Sequence, residues 1–362
     1  MERHAPSVPD RRISALRRRL LAWYDREKRR LPWRGTRDPY RIWVSEIMLQ
    51  QTTVEAVRRR YPAFLARFPN VASLARARED SVLAAWSGLG YYARARNLKR
   101  AAREILRRHA GSLPREPEAL RRLPGFGEYT AAAVASLAYG VRAPAADANV
   151  TRVVSRLHAI PGRADSRRHR SEVLERVGRM LVSGRPGDLT AALMDLGQGI
   201  CTPRRPACER CPVESACEGR RQGNPEAYPG RRPKPEPVRM AVAAAFFERD
   251  GRALLLRRRG GFLDGLWEFP SGPATGPSRR AARAGLTRTL SALGLSRDPE
   301  PVASVRHTVV NRRLEIEVFR ARASKPPLVE SDPAARWFSS RQLARAAIPT
   351  LTRKIARSVG FL

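Results

Sequence analysis

Residues 123–137 read LPGFGEYTAAAVASL, and this segment determines the architecture predicted for the first half of the chain. A short turn around Pro124, Gly125 and Gly127 separates a helical segment ending at Leu123 from an alanine-rich segment with helical spacing. The glycines allow another molecule to approach the backbone, and the start of the second helix adds positive potential. The pattern predicts a helical hairpin that holds a phosphate group without contacting a base; an ordinary turn between two helices is the alternative.

The rest of the sequence predicts a multi-domain chain. Apolar residues recur at helical spacing through residues 1–218, so we expect an all-α domain there. Residues 219–237 are rich in proline, glycine and arginine and lack an apolar repeat, which is typical of an interdomain linker. Residues 238–362 contain short apolar runs typical of strands and one helical stretch at 281–293, which predicts an α+β domain.

The charge balance indicates a polyanionic partner. The 362 residues include 70 lysine and arginine residues and 34 aspartate and glutamate residues, giving a formal net charge of +36. Residues 238–362 hold 23 basic and 10 acidic residues, a net +13, so both predicted domains are basic. Nucleic acid is the expected partner. Because 65 of the basic residues are arginine in an alanine-rich chain, codon bias is an alternative explanation for part of this charge.

Membrane and secreted proteins are excluded by the hydropathy pattern. No apolar run approaches the roughly 18 residues that cross a bilayer. Arginines interrupt the apolar residues near the N-terminus, so a secretory signal is not predicted. We therefore expect a cytoplasmic protein with no membrane partner.

All four cysteines lie close together, with the spacing C-x6-C-x2-C-x5-C. Disulfides are unexpected in a chain without an export signal, and structural zinc sites usually have two close cysteine pairs, whereas only one C-x2-C occurs here. Four thiolates on a compact loop favour a [4Fe-4S] cluster, with structural zinc as the alternative. The predicted ligands are Cys201, Cys208, Cys211 and Cys217.

The cysteine spacing at the end of a helical region, together with the hairpin, resembles the endonuclease III superfamily of DNA glycosylases. The resemblance implies a structural cluster and a helix-hairpin-helix that binds DNA through Gly125 and Gly127. In bifunctional members a lysine two residues after the second hairpin glycine forms a Schiff base with the sugar. Tyr129 occupies this position, and no lysine occurs between Lys99 and Lys234, so a monofunctional enzyme is predicted.

One carboxyl lies on an apolar helical face in residues 40–53, YRIWVSEIMLQQTT. Glu46 shares this face with Ile42 and Leu49, and burial there would raise the pKa of the carboxyl, as a general acid at neutral pH requires. A solvated or ion-paired glutamate is the alternative. The segment SEIMLQQT resembles the adenine DNA glycosylases, the MutY family, and this resemblance implies that Glu46 protonates adenine at N7.

A second carboxyl precedes a helix in residues 145–153, AADANVTRV, where Asp147 has the spacing of an N-cap. The segment also resembles the catalytic segment of the same family. The resemblance implies that Asp147 stabilises a cationic sugar while Glu46 acts as the acid, as in glycoside cleavage by two carboxylates. Tyr129 and Asn149 match family positions that orient these groups and the flipped nucleotide.

A base must leave the duplex before hydrolysis, and protein side chains must fill the gap. Without the family, Leu49 and Tyr91 would be interpreted as core residues and Gln51 as a surface residue. The resemblance instead assigns insertion into the base stack, or a place near the adenine pocket, to Leu49, Gln51, Tyr91, Trp33 and Arg34. The family often has Gln or Glu where this chain has Ala191, so one contact to adenine is expected to be missing or replaced.

The C-terminal part resembles Nudix-like domains, including the C-terminal domain of MutY, in residues 265–270, GLWEFP. Residues 283–295, RAGLTRTLSALGL, lack the carboxylates that bind Mg²⁺ in Nudix hydrolases, which excludes a nucleotide pyrophosphohydrolase. The resemblance implies a recognition domain for 8-oxoguanine. The family loop H-[ST]-F-S-H corresponds to His307-Thr308-Val309-Val310-Asn311, so His307 and Thr308 match, but Val310 lacks the hydroxyl of serine.

Together, the resemblances imply a monofunctional base excision repair glycosylase that removes adenine mispaired with 8-oxoguanine or guanine and leaves an abasic site. Its expected partner is double-stranded DNA carrying these mispairs, bound by a monomer associated with the nucleoid. One alternative is a glycosylase for mismatched thymine or oxidised pyrimidines. A second is a non-catalytic DNA-binding protein that uses the cluster as a redox sensor, which the presence of both Glu46 and Asp147 disfavours.

Overall fold

The chain forms two compact units, each built from two separate stretches of sequence. In the computed structural model, residues 11–181, 184–230, 236–261, 263–272, 276–295, 300–321 and 334–362 are described. The first unit comprises Met1–Ala75 and Arg100–Pro233, and the second comprises Arg76–Lys99 and Lys234–Leu362. Residues 76–99, which the sequence analysis placed in the N-terminal domain, thus cluster with the C-terminal part. The domain boundaries at residues 218 and 237 stay predictions.

Up to residue 230 the described regular structure is helical apart from isolated bridges and short 3-10 turns, as predicted. The α-helices are α1 (Arg11–Glu27), α2 (Pro39–Leu49), α3 (Val54–Arg67), α4 (Val71–Arg76), α5 (Glu79–Ala85), α6 (Ala93–Arg108), α7 (Pro117–Arg121), α8 (Glu128–Tyr139), α9 (Ala148–Leu157), α10 (Arg167–Met180), α11 (Pro186–Gly199) and α12 (Glu218–Arg221).

Local sequence signals set several helix starts in the first unit. Asp38 caps α2 by accepting from the backbone N–H of Tyr40 at 2.9 Å, and Pro39 occupies the first turn. Helices α1, α9, α10 and α11 bury one apolar cluster between them, which includes Leu20, Val154, Val177 and Leu193. This packing holds the starts of α9 and α11 in fixed positions.

The predicted hairpin is present as α7, a tight turn and α8. Gly125 has φ +81°, a left-handed conformation that glycine adopts without strain, and Phe126 N–H donates to the Leu123 carbonyl at 3.2 Å. Gly127 is the N-cap of α8 and has no side chain to cap the first N–H groups. A Cβ on Gly127 would meet no atom within 4 Å, so the space beside this residue is open.

The predicted linker contains ordered structure before residue 231. Helix α12 covers its start, and the Tyr228 carbonyl accepts from Arg156 Nε at 3.1 Å. Gly219 lies against α9 so closely that a Cβ would be 2.8 Å from the Arg156 carbonyl oxygen. These contacts use polar and backbone groups, which is why an apolar repeat does not reveal them. Residues 231–235 of the predicted linker lie outside the described residues.

Strands of the second unit form two sheets. In one, β1 (Val238–Phe246) pairs parallel with β6 (Arg312–Arg320), which pairs antiparallel with β5 (Glu300–Val309). In the other, β3 (Arg252–Arg257) pairs antiparallel with β2 (Glu248–Arg249), β4 (Trp267–Glu268) and β7 (Ala335–Ser339). The helices are α13 (Arg279–Ala292), α14 (Ser340–Ala344) and α15 (Thr350–Ser358). The predicted α+β class is confirmed.

The continuous apolar run in β1 is explained by burial on both faces of its sheet. Ala244 and Phe246 belong to one apolar cluster, whereas Ala243, Ala245 and Phe247 belong to another. Alternate residues of a strand point to opposite faces, so a strand covered on both sides is apolar throughout. Among the described residues, no helix has the length and apolar character needed to span a membrane.

Candidate active site

Glu46 is a buried carboxyl in a helix that is itself buried on nearly every side. It is 4% exposed, and α2 buries each residue from Ile42 to Met48 as well as Tyr40. Burial raises the pKa of the Glu46 carboxyl above its ordinary value; the Tyr129 hydrogen bond and the Arg34 charge oppose this shift, and Asp147 adds to it. The sequence-based expectation of a desolvated acid therefore agrees with the environment of the side chain.

Tyr129, in the first turn of α8, connects the hairpin to this carboxyl. Its hydroxyl donates to Glu46 Oε2 at 2.7 Å. Burial of the hydroxyl raises the pKa of Tyr129 well above its ordinary value, and the nearby carboxyls of Glu46 and Asp147 raise it further. The phenol therefore stays protonated at neutral pH and acts as a fixed hydrogen-bond donor.

Asp147 is the N-cap of α9, and both of its oxygens are oriented by that role. Oδ1 accepts from the Val150 N–H at 2.7 Å, and Oδ2 accepts from Asn149 Nδ2 at 2.9 Å. Asn149 in turn accepts from Arg152 Nη2 at 2.9 Å. The carboxylate is thus fixed at the start of a helix, where the helix dipole favours negative charge.

Arg152 was missed in the sequence analysis, although it lies one helical turn after Asn149. Its Nη2 also donates to the Gly197 carbonyl at 2.6 Å, and its Nε donates to the Cys201 carbonyl at 2.8 Å. Gly197 in α11 packs directly on α9, because a Cβ there would lie 2.7 Å from Asn149 Cβ. A hydrogen-bonded chain therefore runs from Asp147 to the backbone of a predicted cluster ligand.

The predicted catalytic residues and DNA contacts of the first unit meet around one cavity of about 1130 Å³. Pockets for drug-sized ligands range from roughly 300 to 1,000 Å³, so this cavity is large enough for a nucleotide. Its lining includes all four predicted catalytic residues and six of the predicted DNA contacts, namely Glu46, Tyr129, Asp147, Asn149, Trp33, Arg34, Leu49, Gln51, Gly125 and Gly127.

Two polar groups in this lining point to a ligand that offers hydrogen-bond acceptors. Arg34 pairs with the buried Asp195 at 3.0 Å, while its buried Nε has no hydrogen-bond partner among the residues that the structure describes. Gln198 accepts from Arg29 Nη1. Because a guanidinium only donates, this bond turns the Gln198 oxygen toward Arg29 and leaves its NH₂ as a donor. No sequence pattern identified Asp195 or Gln198 as a site residue.

Ala191 lies outside the lining of the large cavity. It lines a smaller cavity of about 150 Å³, which Glu46 and Arg34 also border. The structure therefore brings Ala191 near Glu46, and the methyl side chain of Ala191 supplies no polar contact. Gln198, two helical turns further along α11, supplies an amide to the large cavity instead.

The cysteine loop follows α11 and returns to α9. Burial raises the pKa of the Cys211 thiol to about 12, and the three other cysteines also raise it, so the four thiols lie near one another. Cys201 Sγ accepts from Arg156 Nη1 at 3.4 Å, and the backbone of Val213 donates to Cys211. Within the described residues, no group of three or more His, Cys, Asp or Glu side chains has the arrangement of a metal-ion site.

The remaining predicted contacts belong to the second unit. His307 and Thr308 lie near the end of β5, and a two-residue turn at Val310 and Asn311 joins β5 to β6. Val310 is 75% exposed and has φ +57°, a strained conformation for a β-branched residue. Tyr91 is 46% exposed and also has a positive φ of +47°.

Two protein families match this chain, one in its N-terminal half and one in its C-terminal part. Residues 44–179 match the HhH-GPD superfamily of base excision DNA repair proteins, and residues 242–358 match the NUDIX domain. The chain is 34% identical to the adenine DNA glycosylase of Homo sapiens, over 95% of this chain and 74% of that protein. It is 40% identical to the adenine DNA glycosylase of Mycobacterium tuberculosis, over 66% of this chain and 76% of that protein.

Solved structures agree on the helical part. A thermostable thymine-DNA glycosylase superposes with a TM-score of 0.53 at 30% identity, covering 59% of this chain and 98% of that one. Endonuclease III in a trapped covalent DNA complex superposes with a TM-score of 0.50 at 22% identity, covering 59% and 97%, and shows the shared fold. Because the human relative matches 95% of this chain and is itself covered to 74%, the chain belongs to the adenine DNA glycosylases, base excision repair enzymes of the HhH-GPD superfamily, and it carries a C-terminal NUDIX domain match.

Proposed function

We propose that the protein is a monofunctional glycosylase that hydrolyses the N-glycosidic bond of adenine mispaired with 8-oxoguanine or guanine. The observation that carries this proposal is the pair of carboxyls in one cavity. Glu46 is buried and has a raised pKa, whereas Asp147 accepts two hydrogen bonds at a helix start. Two carboxyls held in such different environments suit the roles of acid and charge stabiliser.

The proposed reaction begins when Glu46 transfers its proton to N7 of adenine. The C1′–N9 bond then breaks, its electron pair leaves with adenine, and positive charge develops on the sugar. The Asp147 carboxylate stabilises this charge electrostatically. Water adds its oxygen to C1′ and loses a proton, which restores the protonated Glu46 and leaves an abasic site.

Monofunctional chemistry is favoured by the group at the hairpin position. An amine there would attack C1′ and form a Schiff base. Tyr129 instead offers a hydroxyl that donates to Glu46 and stays protonated. The bound strand therefore keeps its backbone until alkali or another enzyme cleaves the abasic site.

Adenine binding rests on the donors in the large cavity. The Arg34 Nε–H and the Gln198 NH₂ both offer protons, and adenine has ring nitrogens that accept them. Guanine and hypoxanthine differ from adenine on this edge, because they carry a hydrogen on N1 and an acceptor oxygen on C6. These two donors would hold the ring nitrogens of adenine in the cavity.

The proposal also includes contacts to the DNA. The open N-terminus of α8, with Gly125 and Gly127, suits a backbone phosphate. Gln51 is exposed at the end of α2 with φ +53°, and Leu49 lines the cavity beside it, so both can enter the base stack. His307 and Thr308 contact the opposite strand in this proposal, and Val310 cannot donate a side-chain hydrogen bond to 8-oxoguanine.

The four cysteines fit an iron–sulfur cluster. Cys201, Cys208, Cys211 and Cys217 would hold the cluster through their thiolates. Arg156 and backbone N–H groups already donate to the sulfurs of Cys201, Cys211 and Cys217. When bound, the cluster would cross-link the loop through iron–sulfur bonds. Arg152 and Arg156, which donate to carbonyls of this loop, would then hold α9 against a fixed loop.

The proposal is tested by incubating the protein with four duplexes and analysing the released base. The duplexes carry adenine opposite 8-oxoguanine, adenine opposite guanine, thymine opposite guanine, and thymine glycol. Free adenine from the first two, with strand breaks only after alkali, is the expected result. Release of thymine or thymine glycol, or nicking without alkali, would contradict the proposal.

A further inference from the structure

The loop that presents Tyr91 is held in an unusual backbone conformation. This wedge loop, defined here as residues 86–94, has positive φ at Gly88, Gly90 and Tyr91. Glycine adopts such angles freely, but a tyrosine at φ +47° is strained. Strained residues persist only where surrounding contacts fix them, and they occur often at binding sites.

Arg94 provides these contacts from the first turn of α6. Its guanidinium lies over the ring of Tyr91 at 5.5 Å and over the ring of Trp86 at 5.4 Å. Its Nη2 donates to the carbonyls of Leu89 at 3.0 Å and Gly90 at 3.2 Å. One cation thus fixes both the ring of Tyr91 and the turn that carries it.

The wedge loop is also tied to the C-terminal part of the second unit. The buried Tyr92 hydroxyl donates to the Ile348 carbonyl at 3.0 Å, and Ser87 Oγ donates to the same carbonyl at 3.4 Å. Just after the wedge loop, Arg96 donates to the Asp264 carbonyl at 2.5 Å. The β5–β6 hairpin with Val310 at its tip belongs to this same unit.

We propose that Tyr92 and Arg94 are positioning residues through which the C-terminal unit holds Tyr91 ready to enter DNA. This inference rests on the proposed function, because it takes Tyr91 as a residue inserted beside the mispair. Under this inference, the second unit makes both DNA contacts: Tyr91 enters the base stack, and the β5–β6 hairpin contacts the opposite strand. Loss of the hydrogen bond from Tyr92 should therefore weaken binding of the mispair only when Tyr91 is present.

The test is a double-mutant cycle on DNA binding with Tyr92→Phe and Tyr91→Ala. The duplex carries a non-hydrolysable adenine analogue opposite 8-oxoguanine, with 2-aminopurine beside the lesion to report unstacking by fluorescence. One lost hydrogen bond corresponds to a roughly 2- to 12-fold weaker binding. We expect Tyr92→Phe to weaken binding by a factor in this range and to reduce the fluorescence change, and to have no further effect when Tyr91 is already alanine.

Tyr61→Phe is the matched control. Tyr61 is 2% exposed and Tyr92 3%, and the Tyr61 hydroxyl also donates to a backbone carbonyl at 3.0 Å, that of Arg41 in the first unit. Thermal unfolding should show similar losses of stability in the two variants, but only Tyr92→Phe should change the fluorescence signal.

Arg94→Met is the second variant and removes the stacking cation while keeping an aliphatic chain. It should also be non-additive with Tyr91→Ala. Equal effects of Tyr92→Phe with and without Tyr91 would overturn the inference. Failure of the wild type to release adenine would instead contradict the proposed function, and the binding cycle would still decide the role of Tyr92.

Discussion

Replacement of Tyr129 by phenylalanine should change the pH at which the enzyme loses activity. The Tyr129 hydroxyl donates to Glu46 Oε2 at 2.7 Å, and this bond lowers the pKa of a carboxyl that burial has raised. The hydrogen bond stabilises the ionised form of Glu46 more than the protonated form. Its removal should therefore raise the pKa of Glu46 further.

The size of this change follows from the strength of one hydrogen bond to a charged group. Such bonds contribute about 1.5–3 kcal/mol. Since one pKa unit corresponds to about 1.36 kcal/mol, the pKa of Glu46 should rise by roughly 1–2 units. A general acid works in its protonated form, so the fall of the rate at high pH should move to a pH about 1–2 units higher.

The assay is the single-turnover rate of adenine release from an adenine:8-oxoguanine duplex, measured over a range of pH for both proteins. Single-turnover conditions separate the chemical step from product release. Thermal unfolding of Tyr129→Phe confirms that the variant is folded. An unchanged position of the high-pH limb, or a shift to lower pH, would refute the assignment of Glu46 as an acid held by Tyr129.

Three further outcomes follow from the same site. Arg152→Met removes the donor to Asn149, so single-turnover release should fall about tenfold, the equivalent of ~1.4 kcal/mol, while duplex affinity stays unchanged in a binding titration. Gly197→Ala places a Cβ 2.7 Å from Asn149 Cβ, so thermal unfolding should show a loss of stability of about 1–3 kcal/mol. Gly199→Ala in the same helix is the control and should cause no such loss, because its Cβ would have no atom within 4 Å. Cys211→Ala should remove bound iron and the visible absorbance of the cluster; full iron content in this variant would contradict the ligand assignment.

Local sequence patterns were sufficient for the elements whose formation depends on neighbouring residues. The glycine turn and the alanine-rich run predicted the hairpin, and the short apolar runs after residue 237 predicted strands such as β1. The environment of Glu46 also followed from sequence, because its apolar neighbours lie one turn away in α2. In each case the determining residues are close together in the chain.

Contacts between distant segments were not predictable in this way. Arg152 reaches the Gly197 and Cys201 carbonyls, and Arg156 reaches the Tyr228 carbonyl, so ordered structure continues into the predicted linker. A guanidinium that binds backbone carbonyls leaves no signature at the acceptor positions, since any residue supplies a carbonyl. The assignment of residues 76–99 to the second unit depends on similar bonds, such as that from Tyr92 to Ile348.

Glu46 is proposed to act as the buried acid of an adenine glycosylase, and a comparison of wild type with Glu46→Gln on one duplex tests this role. The substitution keeps the shape of the side chain and its ability to accept from Tyr129, but it removes the proton that adenine would receive. We predict that the wild type releases adenine opposite 8-oxoguanine in a single turnover, whereas Glu46→Gln binds the duplex with similar affinity and releases none. Adenine release by Glu46→Gln at the wild-type rate would contradict the account.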